Sequence, residues 1–90
     1  MLFIVQWSGP ATVREAAVER FKRHVGRADQ MGVKVLGRWH TIAEPGGYAV
    51  VEAADAAELA IWILEWNDLF KFTLTPVMSS QAHDARLGVL

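Results

Sequence analysis

Arg38, His40, Tyr48 and Glu52 crowd into two short alternating apolar segments, Leu36–Ile42 and Gly47–Ala53, joined by Glu44-Pro45-Gly46-Gly47. These residue types could do acid–base work. The imidazole of His40 can take a proton near neutral pH, and Glu52 or Tyr48 could orient it or donate to an oxyanion. Arg38 with Glu52 could hold a carboxylate or phenolate. The same side chains also have structural readings. His40 would then be a hydrogen-bonded interface residue, and Arg38–Glu52 a cross-strand ion pair contributing only ~0.2–1 kcal/mol. Trp39, Trp62 and Trp66 could stack on a flat ligand, since an indole offers a face and an N–H donor. Their spacing suits core positions equally, and Trp7 is ambiguous in the same way.

The two segments read as a hairpin with a longer loop over Ala43–Gly47. Pairing about Pro45 sets Arg38 opposite Glu52, His40 opposite Val50 and Ile42 opposite Tyr48. Leu36, Arg38, His40, Tyr48, Val50 and Glu52 would then share one face. Gly37, Trp39, Ala49 and Val51 would share the other, which is apolar and partly small, as suits a surface beneath helices. A slip of one residue changes every partner.

The remaining elements must position this hairpin. Residues 2–7 form a β-rich run ended by Ser8-Gly9-Pro10, a turn signal. Thr12 stands three residues before Glu15, the capping-box spacing. Val13, Ala17, Phe21 and Val25 then recur every fourth position, so a helix is expected over about residues 12–27. Strand two spans about 33–42 and strand three about 48–53. Asp55 and Glu58 repeat the capping signal. Leu59, Trp62, Ile63 and Trp66 form the stripe of a second helix. Its other side, Ala57, Ala60, Ile61 and Leu64, is apolar too, so burial all round is expected. A fourth strand follows over 69–77, with Pro76 suited to an edge or strand end. A short helix would start at Ser79 or Ser80. The order β-α-β-β-α-β is that of an α+β, ferredoxin-like sandwich, with a four-stranded antiparallel sheet and two helices on one face. A domain of residues 1–78 followed by a tail of 79–90 is the expected organisation.

Composition narrows the function classes. Nine Lys and Arg against ten Asp and Glu give a net charge of −1, without the cationic stripe that nucleic acid requires. No cysteine is present, which excludes disulfides and thiol chemistry. His24, His40 and His83 lack paired ligand spacing, so no metal and no cofactor is expected. No run approaches the length of a membrane span, and the N-terminus reads as a strand, not a signal peptide. A cytoplasmic location fits. The apolar fraction is 52%, more than a small core readily hides. A homodimer or larger homo-oligomer is therefore expected.

The segments Leu36-Gly-Arg-Trp-His40, Tyr48–Asp55, Trp62–Leu69 and Phe72–Val77 together resemble a family of short bacterial proteins filed as a domain of unknown function. That family is similar to the dimeric α/β-barrel superfamily, in which two ferredoxin-like subunits press their open sheet faces together. The resemblance implies a fold and dimerisation but not an activity, because the superfamily spans cofactor-free monooxygenases, polyketide cyclases, haem enzymes and binding proteins. Three readings follow. The first is a dimer that binds a small apolar or aromatic molecule. The second is a cofactor-independent enzyme of cyclase or monooxygenase type, with His40 as base and Arg38 or Tyr48 stabilising the resulting enolate or phenolate. The third is a pure assembly module.

Overall fold

Alternation of large apolar residues with polar or solvent-facing ones makes four short strands that can each bury one side. The computed structural model describes residues 1–24 and 31–88. Among these, β1 (Leu2–Ser8), β2 (Lys34–His40), β3 (Gly46–Glu52) and β4 (Lys71–Val77) form one sheet in the order β2-β3-β1-β4. All three pairings are antiparallel. β4 is an edge strand, so Pro76 costs no interior ladder bond. The helices among the described residues are α1 (Arg14–Arg23), α2 (Ala56–Leu64) and a short α3 (Ser80–Arg86). The result is the α+β, ferredoxin-like arrangement that the element order implied.

Phe3 and Val5 of β1 and Ala49 and Val51 of β3 point to one side of the sheet and are buried. They meet Leu59 and Trp62 of α2, with Val33 and Ala53 completing the cluster. Full burial of a side chain such as Phe3 or Leu59 stabilises the fold by about 1.5–3 kcal/mol. α2 starts as its sequence implied. The Asp55 carboxylate accepts from the Glu58 amide at 2.9 Å, and the Glu58 carboxylate accepts from the Ala54 amide at 3.2 Å. Its outer side departs from expectation: Ile61 and Leu64 are more than half exposed, because a single chain places no further layer over them. α3 is capped by Ser79, whose hydroxyl accepts from the Ala82 amide.

The start of α1 corrects the capping-box reading of Thr12 and Glu15. Residues Ala11–Val13 form a 3-10 turn, closed by the Val13 amide donating to the Pro10 carbonyl at 3.1 Å. Thr12 is thereby absorbed into the turn, and α1 begins at Arg14 without a side-chain cap. The expected helix end near residue 27, and Val25 of its stripe, lie outside the described residues.

The hairpin register differs from a pairing centred on Pro45. Its loop is residues 41–45, and Arg38 pairs with Ala49, Trp39 with Tyr48 and His40 with Gly47. Glu52 faces Lys34 instead of Arg38, beyond an irregularity between Val35 and Gly37. The offset is odd, so the side chains of β2 change face. Arg38 and His40 join Ala49 on the helix-covered side, while Trp39 joins Tyr48, Val50 and Glu52 on the open side. No described helix is long and apolar enough to cross a membrane.

Candidate ligand cleft

α1 lies over the sheet without closing on it, and buries none of its side chains. Between it, the β2–β3 end of the sheet and α2 lies a cleft of about 550 Å³, within the ~300–1,000 Å³ range of small-molecule sites. Local sequence shapes one wall. Gly47 in β3 leaves room for a neighbouring ring. A Cβ at Gly47 would collide with the Trp39 carbonyl oxygen and come within 2.7 Å of the Trp7 indole. Trp7 therefore lies down against the β3 backbone as one wall. Trp62, Trp66, Phe70 and Phe72 continue the lining, and Phe21 of α1 hangs over it.

Two polar side chains enter this apolar space from β2. The His40 ring meets Trp7 edge-on at 6.0 Å between centroids and Phe21 edge-on at 6.3 Å. The Arg38 guanidinium carbon stands 5.1 Å from the Phe21 ring centre, a cation–π distance. Burial pulls the Arg38 pKa below the usual arginine value, though a guanidinium stays charged in proteins.

α1 is tied to the turn after α2 by a charged clamp. Arg20 donates through Nη1 to Asp68 Oδ1 and, at 3.0 Å, to the Glu65 carbonyl, and through Nη2 to Asp68 Oδ2 at 2.9 Å. The Arg20 bond holds the Asp68 carboxyl below the usual aspartate range, and the same bond raises the pKa of Arg20. His24 Nδ1 lies 3.6 Å from Glu65 Oε2, and its ring meets Trp66 edge-on at 6.0 Å.

Of the residues singled out by sequence, Arg38, His40, Trp62 and Trp66 converge on the cleft. The trio His40, Tyr48 and Glu52 does not assemble. Tyr48 sits on the opposite face beside Gln6, whose amide donates to its hydroxyl at 3.4 Å. Glu52 is also on that face, five residues along β3 from the partner of His40, or roughly 17 Å at strand rise. Trp39 is likewise outside the cleft, folded over Gly37 on the open face and 59% exposed. Sequence reasoning read Phe21 as part of the helix stripe and placed Phe70 and Phe72 in the fourth strand, so it missed them as lining. Phe21 was the findable one, since it occupies the stripe position that faces β2. Among the described residues, no three His, Asp or Glu side chains gather as a metal site would need.

A ferredoxin-like sandwich with an aromatic cleft under its first helix defines the class, and the fold is consistent with the dimeric α/β-barrel superfamily. Residues 1–88 match the model of a family described as Domain of unknown function (DUF3303), and the chain belongs to that family. No curated protein matches it.

Proposed function

We propose that this protein binds a small, flat, largely apolar molecule in the cleft between α1 and the sheet, and that it does so as a homodimer. The observation that carries the binding reading is the cleft itself: indole and phenyl rings line it, while Arg38 and His40 reach in from one strand. Sites of this kind combine apolar walls with a few polar groups that fix orientation. Dimerisation draws support from the other side of the sheet. Ile4, Trp39 and Tyr48 are exposed there to 37, 59 and 45%, and an apolar surface rimmed by polar groups suits a protein contact. A second copy of this chain is the occupant that the fold consistency with dimeric α/β barrels favours.

A second reading, turnover without a cofactor, is favoured by His40 and Arg38 entering the same cleft. His40 would remove a proton from a bound substrate and Arg38 would stabilise the enolate or phenolate formed. Tyr48 has no part in this version.

Thermal unfolding with a panel of naphthalene and indole derivatives tests the binding reading. A ligand at a hundredfold excess over its Kd stabilises by about 2.7 kcal/mol, on the order of ten degrees or more in Tm for a domain this size. A panel that leaves Tm unmoved, or that stabilises Phe21→Ala as much as the natural chain, contradicts it.

A further inference from the structure

Resting on the cleft-binding reading, we infer that the ligand is an acid: an aromatic carboxylate whose ring lies among Trp7, Phe21 and Phe72 and whose carboxylate is taken by Arg38. The first ground is the state of Arg38. Its side chain is half-buried against apolar walls, and among the described residues no carboxylate lies within ion-pair distance of it. A cation in such surroundings is ordinarily paired, because desolvation is costly without a counter-charge. Its partner here is the Phe21 ring, which neutralises no charge and leaves the planar fork of N–H donors for a carboxylate.

The second ground is the balance of charge around the cleft. Three cations, Arg14, Lys22 and Arg38, line the cleft against one carboxylate, Glu44, although the whole chain carries a net charge of −1. The cleft is thus positive on a slightly negative protein, and low-dielectric walls focus such a field onto an anion. His40, two residues from Arg38 on β2 and edge-on to Trp7, adds a ring nitrogen that can donate to the same acid group. Rings for the body of the ligand and a cation at one end together describe an amphiphilic acid rather than a neutral hydrocarbon.

Titration calorimetry with two probes of equal shape decides the matter: 2-naphthoate, and the neutral 2-naphthylmethanol. The natural chain should bind the naphthoate about tenfold or more tightly than the alcohol, the range expected for a charged hydrogen bond. Arg38→Gln should lose most of that preference while still binding the alcohol, which also reports that the variant is folded. Equal affinity for the two probes would overturn the acid assignment and leave the cleft-binding reading standing. A preference that survives in Arg38→Gln would overturn the role of Arg38. Failure of the natural chain to bind either probe would contradict the cleft-binding reading and this inference with it.

Discussion

Helix α2 carries Leu59 and Trp62 into the sheet, whereas α1 lies over the same face and buries none of its side chains. The sheet beneath them is filled differently. Under α2 stand Phe3, Val51 and Ala53, which interlock with Leu59 into a closed cluster. Under α1 stand Trp7 and Phe72, with Arg38 and His40 at the side, and a cleft remains between helix and sheet. A helix that buries no side chain gains little from packing, and α1 is tied down by the Arg20–Asp68 clamp. One half of the molecule is thus closed into a core, and the other keeps an open cleft.

The largest test of that contrast is Trp62→Ala. Trp62 belongs to the core and edges the cleft, so the substitution should cost ~3–5 kcal/mol in chemical denaturation and weaken probe binding as well. A variant as stable as the natural chain would erase the difference between the two helices. The open sheet face supplies the next test. Trp39→Lys should weaken the proposed homodimer by about 2 kcal/mol or more, as loss of a central aromatic does at interfaces, roughly thirtyfold in sedimentation equilibrium. Its cleft should still bind probes, because Trp39 points away from it. Should the natural chain sediment as a single copy at micromolar concentration, the dimer proposal is wrong. Phe21→Ala comes third. With Phe21 already 39% exposed, unfolding free energy should fall by about 1 kcal/mol or less, while probe affinity drops. A large loss of stability instead would mean α1 is a core helix like α2.

The smallest effect concerns the clamp. Asp68→Asn should lower Tm slightly at neutral pH by removing one side of the Arg20 pair. Because the folded-state pKa of Asp68 is depressed, the stability it contributes is present above the ordinary aspartate pKa and is lost as pH falls through the folded value. The difference between variant and natural chain should therefore close in acid. A gap that persists after Asp68 is protonated would assign its effect to packing.

Much of the architecture was legible from residue pattern. The alternation of Phe72 and Leu74 with Thr73 and Thr75 in β4, the Asp55–Glu58 cap and the Leu59–Trp62 stripe each follow from one dominant local preference. The site was less legible, and for one reason above all. The face to which β2 side chains point is set by the hairpin loop and by the irregularity between Val35 and Gly37, and neither leaves a mark in hydrophobic period. Trp39 looks like the helix-facing residue of that strand and Arg38 and His40 like those of the open face, yet the register exchanges the faces. The cleft depends on a quantity that no spacing encodes, the gap that remains between α1 and the sheet. Thr12 failed as a cap because Pro10 starts a tighter turn before the helix can begin.

The central claim, that the cleft beneath α1 is the ligand site, can be read from the four indole N–H signals in a nitrogen-15 correlation spectrum. Trp7, Trp62 and Trp66 line the cleft, and Trp39 lies on the opposite face of the sheet. On titration with 2-naphthoate, the signals of Trp7 and Trp66 should shift and saturate together while that of Trp39 stays in place. Movement of the Trp39 signal alone, with Trp7 and Trp66 unmoved, would place the ligand on the open face and contradict the account.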